Sequence, residues 1–458
     1  MNLDIVILAA GRGTRMNSDI PKVLHPIGGE SMLGHVLNAA AELESQQTHI
    51  VVGYGAEQIQ ASLSTEKHLK WARQEQQLGT GHAVMQAMPA IDSADSEKLV
   101  LVLYGDVPLT NSSTLAQLVQ QANSGTLCVL TLVCENPTGL GRIVRNSTGE
   151  VMALVEEKDA NEEQKQIKEI NTGIMVIPAL RLSSWLDALG NNNAQGEYYL
   201  TDIVAMAAAD EGCAISAMVI SDQHEVQGVN DKAQLASLER QYQMNRAEQL
   251  LQAGVLLRDP SRIDIRGDLS TGSDVEIDIN AVFEGSVGLG NGVKIGANVV
   301  IKDSNIADNV TILPGTNIDG AEIGSGAIVG PYARIRPGTV LKENTKIGNF
   351  VETKNAIIGK GSKANHLAYI GDAELGENVN IGAGTIFCNY DGANKHKTVL
   401  GDNVFVGSNS VLVAPVVLAD NSFVAAGSSV NSDVPADNLA VARGKQRNIP
   451  GWKRPTKK

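Results

Sequence analysis

The chain has 458 residues, more than one ordinary domain holds, so two or three domains are expected. Its formal net charge of −14 argues against a general nucleic-acid-binding surface, which needs clustered positive charge. Hydrophobic residues make up 43%, enough for packed cores, yet aromatics are 3% beside 46 glycines, which points to a region of tight, repeated turns. The four cysteines, Cys128, Cys134, Cys213 and Cys388, have no CxxC or metal-ligand spacing, as in a reduced intracellular protein. With no signal-peptide pattern and no apolar run of about 20 residues, a cytoplasmic protein without membrane insertion is expected.

The first apolar run, Ile5-Val6-Ile7-Leu8, reads as a short buried strand. It opens into Leu8-Ala9-Ala10-Gly11-Arg12-Gly13-Thr14-Arg15-Met16, with Pro21-Lys22 a few residues on. Small residues there bare several backbone N–H groups, and glycine lets a polyanion approach closely. Arg15 and Lys22 supply cations for phosphate oxygens. Gly11-x-Gly13 alone would suit an ordinary βα turn, and the spacing fits neither a Rossmann fingerprint nor a P-loop. Taken whole, the string resembles the signature of the sugar-nucleotidyltransferase (nucleoside diphosphate sugar pyrophosphorylase) family.

Further runs at Ile50–Val52, Leu99–Leu103, Leu127–Val133 and Ile174–Ile177 read as strands, with helical patterns at Leu33–Leu43 and Ser113–Ala122 between them. This alternation predicts an α/β domain with a Rossmann-like, mostly parallel sheet over residues 1–230. In such sheets ligands sit beyond the carboxyl ends of the strands, where both Leu8–Met16 and Tyr104-Gly105-Asp106 fall. Asp106 on its own would pass for a turn former; beside the Gly11–Arg15 loop it reads as a Mg²⁺ ligand. Gln74 and Leu78-Gly79-Thr80-Gly81 form another small-residue loop, and Asn191–Glu197 before Tyr198-Tyr199 has no role that first principles assign.

Residues 231–253 read as one exposed linker helix, ended by Ala253-Gly254. Beyond it, over 254–458, aliphatic residues recur at six-residue spacing, as in Ile295 with Ile301, Leu375 with Ile381, and Leu400 with Val406 and Leu412, often followed by glycine. That is the hexapeptide pattern of a parallel β-helix, with about 18 residues per coil and a prism too narrow for aromatics. Histidine can take up a proton near neutral pH, so His366 is a general-base candidate. Alone it would be a solenoid-surface histidine; Lys354, Tyr369, Asn380, Asn389 and Tyr390 recur on coils one or two turns away, which stacking brings alongside.

Over its full length the chain resembles the bacterial bifunctional N-acetylglucosamine-1-phosphate uridyltransferase/glucosamine-1-phosphate acetyltransferase family. The resemblance implies a left-handed β-helix and synthesis of UDP-N-acetylglucosamine, a precursor of peptidoglycan and lipopolysaccharide, in two steps. Acetyl-CoA acetylates glucosamine-1-phosphate, then UTP uridylylates N-acetylglucosamine-1-phosphate and pyrophosphate leaves. It implies that Leu8, Ala9, Ala10, Gly11, Lys22, Tyr104, Gly105 and Asp106 bind the uridylyl substrates, with Arg15 and Lys22 catalytic. Gln74, Gly79 and Thr80 would meet uracil, Gly141, Glu156 and Asn171 the sugar phosphate, and Asn230 would join Asp106 on magnesium. In the second half it implies that Arg336 and Lys354 grip phosphate, while Tyr369 and Asn380 help bind the sugar. Asn389 and Tyr390 would order the amine and the acetyl donor, and Ala383, Ser408, Ala426 and Arg443 would contact acetyl-CoA. A homotrimer with acyl sites between subunits is implied too, the tail after Arg443 reaching a neighbour. Two other readings exist: a monofunctional sugar-1-phosphate nucleotidyltransferase with a structural β-helix, which the constellation around His366 disfavours, and a non-catalytic scaffold, which intact Gly11–Arg15, Lys22 and Asp106 disfavour.

Overall fold

The computed structural model describes residues 2–457, and its internal packing divides the chain after Tyr242. In the first unit the strands are β1 (Leu3–Ala9), β2 (Gln47–Val52), β3 (Leu69–Arg73), β4 (Leu99–Tyr104), β5 (Thr126–Val133), β6 (Arg142–Arg145), β7 (Val151–Val155), β8 (Glu169–Pro178) and β9 (Ala214–Ile220). They form one sheet in the order β9-β5-β8-β4-β1-β2-β3, with the β6–β7 hairpin joined to β8. Every residue of β1 is buried, as a central parallel strand covered on both faces must be. Apolar side chains pack in a separate cluster on either face, Ile5 and Ile7 with α1 (Met32–Ala41), and Val6 and Leu8 with α2 (Thr80–Ala87).

Two features depart from the sequence reading. The run at Ile174–Ile177 extends back to Glu169, and β8 runs antiparallel to both β4 and β5. An apolar run reports burial on both faces and carries no signal of direction, so only the pairing reveals it. Strands β3 and β6 come from mixed apolar and polar stretches that no run announced, whereas β7 (VMALV) and β9 (AISAMVI) are apolar stretches absent from the sequence reading.

A 21-residue helix, α3 (Lys232–Gln252), covers the expected helical stretch, but it is not exposed throughout: Leu238, Gln243 and Ala247 are buried. The second unit is a parallel β-helix. One face is an 11-stranded sheet; a 14-stranded sheet bends over the other two, because Val300–Ile306 pairs with both Asn317–Asp319 and Glu322–Ile323. Successive coils stack at a register of 17 or 18 residues, as in Glu276↔Lys294 and Lys346↔Lys363. Aliphatic side chains such as Ile295, Ile301, Ile335, Ile347, Ile370 and Ile381 fill the prism. The insertion at 389–397 lengthens one coil: Ala373, which stacks on Ala356, is followed in the ladder by Thr398.

One corner of the solenoid departs from ordinary turn chemistry. It holds a left-handed residue in each coil, and most coils use glycine or asparagine: Asn298, Gly315, Gly384, Asn409 and Gly427. Three consecutive coils instead place Tyr332, Phe350 and Leu367 there, at φ 54°, 57° and 49°. All three are exposed, and the rings of Tyr332 and Phe350 stack at 5.9 Å.

Candidate active sites

A cavity of about 250 Å³ opens at the carboxyl ends of β1 and β4. Leu8, Ala9, Ala10, Gly11, Lys22, Gln74, Gly79, Thr80, Tyr104 and Asp106 all line it, so the motifs read from sequence meet at one place. A Cβ added to Gly11 would meet nothing within 4 Å: the strand ends there and leaves space for a ligand. Gly79 has the opposite reason to be glycine. Its φ is +106°, and a Cβ would stand 2.6 Å from the Tyr198 carbonyl oxygen. Buried Gln74 donates its amide hydrogens to Gly79 O at 3.1 Å and to His82 Nδ1 at 3.1 Å. Its oxygen is therefore the atom left to accept from a ligand N–H, such as that of a uracil imide.

The Lys22 ammonium forms an ion pair with Asp106 and lies 3.5 Å from Asn230 Oδ1, which also accepts from Arg15 at 3.0 Å. Val229 N donates to Asp106 O at 3.0 Å, so the backbone itself holds Asn230 beside Asp106. A carboxylate oxygen and an amide oxygen thus converge on one cation. These are hard donors of the kind Mg²⁺ takes one or two of, completing its shell with phosphates and water.

Tyr104 also borders a second cavity of about 600 Å³, shared with Asp106, Leu140, Asn171 and Asn230. Burial pushes the Tyr104 phenol well above its ordinary pKa, with Glu156 and Asp106 adding repulsion, so it stays a neutral hydroxyl. Gly141, Glu156 and Asn171 are brought together: Asn171 N donates to Gly141 O at 2.9 Å, and a Cβ on Gly141 would be 3.4 Å from Glu156 Oε1. Burial raises the Glu156 carboxyl, with Asp202 and Asp159 repelling it, against a hydrogen bond from Thr201. The buried Tyr199 hydroxyl belongs to the same neighbourhood: burial raises its pKa, a hydrogen bond with Gln195 opposes that, and Asp159 and Glu156 add repulsion. Sequence reasoning assigned Tyr199 no role. The only signal was the Tyr198-Tyr199 pair, and its meaning depends on the fold returning it to Glu156.

In the β-helix, one group of polar residues lies along the bent sheet. Arg336 Nη1 donates to Glu352 Oε1 at 2.7 Å. Contact with the Lys395 ammonium, with Arg336 adding repulsion, lowers the Lys354 pKa below the ordinary lysine value. Three cations thus share one patch. Asn389 Nδ2 donates to Asp372 Oδ2 at 2.5 Å and to the Tyr369 hydroxyl at 3.4 Å. A Cβ on Gly371 would stand 2.4 Å from that hydroxyl, so the tyrosine lies flat over a bare coil. Lys395 escaped the sequence reading because it sits in the insertion, where no periodicity places it.

That insertion is tied by Asp391. Its carboxylate accepts from Asn394 N at 2.6 Å, Ala393 N at 2.8 Å and His396 Nε2 at 2.7 Å, which hold its pKa well below the carboxylate range. Tyr390 pairs with Lys395 across the hairpin.

A second group lies at another corner. His366 ends the strand Lys363–His366, and Ala383, Ser408 and Ala426 follow it at the same corner on successive coils: Asn409 N donates to Ala383 O, and Gly427 N to Ser408 O. Arg443 Nη1 reaches Ala426 O at 2.5 Å. The stripe is narrow and small-sided, suited to a linear chain. Asn380 falls on the flat sheet between Lys363 and Phe405, apart from the strands that carry Tyr369 and Lys354. Residues 443–457 are exposed. Cys388 is half-buried at the end of a strand.

Comparison with known proteins agrees with this division. The MobA-like NTP transferase domain family matches residues 5–167, and the bacterial transferase hexapeptide family matches 320–355 and 397–432. The bifunctional protein GlmU of Marinobacter nauticus is 56% identical over 455 residues, covering 99% of both chains. Proteins of the same name from Pseudomonas entomophila and Pseudomonas putida are 55% and 54% identical, covering all of this chain and 99% of each relative.

Proposed function

Because the chain belongs to the bifunctional GlmU family, we propose that its two residue clusters are the two active sites of that enzyme. The protein acetylates glucosamine-1-phosphate from acetyl-CoA and transfers uridylyl from UTP to N-acetylglucosamine-1-phosphate, forming UDP-N-acetylglucosamine and pyrophosphate. It works in the cytoplasm.

In uridylyl transfer an oxygen of the sugar phosphate attacks the α-phosphorus of UTP, and the bond to pyrophosphate breaks. The protein's task is positioning and charge neutralisation. Gln74, Gly79 and Thr80 hold uracil, while Gly141, Glu156 and Asn171, joined by Tyr199, hold the sugar. Arg15 and Lys22 neutralise the triphosphate. Asp106 and Asn230 are the residues to hold Mg²⁺, which supplies charge stabilisation to the phosphates when bound. Once phosphate arrives, Lys22 exchanges its Asp106 partner for it.

In acetyl transfer the substrate nitrogen attacks the thioester carbonyl, the C–S bond breaks, and CoA leaves as thiolate. His366 takes the proton that the nitrogen loses and passes it to the thiolate. The observation that supports this site is the contact of the Lys354 and Lys395 ammoniums beside Arg336, which Glu352 and Asp372 offset in part: such a cluster suits an anion, here the sugar phosphate. Replacing Lys395 with alanine should raise KM for glucosamine-1-phosphate about tenfold and leave kcat and the KM of acetyl-CoA within twofold. An unchanged KM for the sugar phosphate would remove Lys395 from that site.

The active assembly is a homotrimer of β-helices, with the Tyr332–Phe350–Leu367 ladder in the subunit seam. Strained, exposed apolar residues on three adjacent coils are costly on a free surface and useful in a contact. Phe350→Asp should shift sedimenting mass from three chains toward one and lower acetyl transfer while sparing uridylyl transfer. A variant that still sediments as a trimer would take the ladder out of the seam.

A further inference from the structure

Resting on the reading of His366 as the base, we propose that Asn349 is a positioning residue that fixes the tautomer and orientation of that imidazole. Asn349 Oδ1 lies 2.8 Å from His366 Nδ1. Residues 349 and 366 are register partners on stacked parallel strands, and Leu367 N donates to Asn349 O at 3.0 Å. The backbone ladder therefore delivers the amide to the ring, one coil apart, without a flexible loop between them.

A carbonyl oxygen can only accept, so a contact to it puts the imidazole proton on Nδ1. The lone pair is then on Nε2, the atom free to take a proton from the substrate nitrogen. In the other tautomer the Asn349 amide would have to turn to present its NH₂ to Nδ1, giving up the observed contact, and Nε2 would already carry a hydrogen. Without the amide, both tautomers and several ring rotations compete, and the competent fraction falls.

Continued upward, the register that joins Asn349 to His366 places Ala383 over the histidine, because Lys363 pairs with Asn380 and Ala364 with Ile381. One neighbour grips the ring, and the other is too small to fill the space a substrate needs. The ionisable side chains on these stacked strands are Lys363, at the far end of His366's own strand, and Lys346 beneath it; Glu352 and Tyr369 begin the next face. Asn349 itself is uncharged, so it orients the base without adding charge to it.

The test uses the full-length enzyme and compares Asn349→Leu, Asn349→Asp and His366→Ala in acetyl transfer from pH 5.5 to 9. Asn349→Leu should lower kcat about tenfold to a hundredfold with both KM values within twofold. Asn349→Asp keeps an accepting oxygen, so it should recover most of kcat. Its new carboxylate should move the acid limb of the kcat profile to higher pH by up to about one unit. A wild-type kcat in Asn349→Leu, or an Asp variant as slow as Leu with an unmoved acid limb, would overturn the proposal. If His366→Ala is inactive in either case, the base reading survives its failure; if His366→Ala retains acetyl transfer, the base reading itself falls.

Discussion

His366→Ala should lose acetyl transfer by about a hundredfold to ten-thousandfold, the usual worth of a positioned general base, while pyrophosphate release from UTP stays near wild type. The imidazole stands on a strand end of the β-helix, and its loss removes no prism-filling side chain, since His366 is exposed while the adjoining Ala364 is buried. The variant should therefore fold and bind both acetyl-transfer substrates with little change in KM. The split between the two activities is the informative part. Equal loss of both would mean that the reactions do not run at separate sites.

The converse substitution is Asp106→Ala. Asp106 pairs with Lys22, and its backbone oxygen accepts from Val229 N, which brings Asn230 alongside. Removing the carboxylate should cost uridylyl transfer at least about a hundredfold, because it removes a hard ligand and charge stabilisation at the triphosphate. The backbone contact survives the change, so the sheet edge should keep its shape and acetyl transfer should be untouched. Assays across Mg²⁺ concentrations give a second readout: the residual activity should need far more metal than wild type. Full activity at ordinary Mg²⁺ would deny Asp106 its part in metal binding.

How far these sites were legible in the chain depends on whether neighbours in space are neighbours in sequence or in period. The strand-to-loop step at Leu8–Met16 is a local feature and needed no tertiary information. The hexapeptide period made the β-helix readable, and with it the stacking of His366 near other polar residues. What escaped depends on chain return. Tyr199 comes near Glu156 only because the segment after Asn191–Glu197 folds back to the site, where Thr201, two residues on, donates to Glu156. Lys395 reaches Lys354 from an insertion whose hairpin is set by Asp391, a local hub that composition does not reveal. Asn349 lies one coil from His366, at the expected spacing, and an asparagine there looks like any other solenoid corner residue. The left-handed corner was equally hidden: bulky side chains such as tyrosine, phenylalanine and leucine are not expected at positive φ.

The most direct measurement is release of CoA thiol from acetyl-CoA by the purified protein, with and without glucosamine-1-phosphate. Release that depends on the sugar phosphate, from a protein that also forms pyrophosphate from UTP and N-acetylglucosamine-1-phosphate, is the predicted result. Pyrophosphate formation without any sugar-dependent thiol release would contradict the two-site account and leave the β-helix a structural appendage of a nucleotidyltransferase.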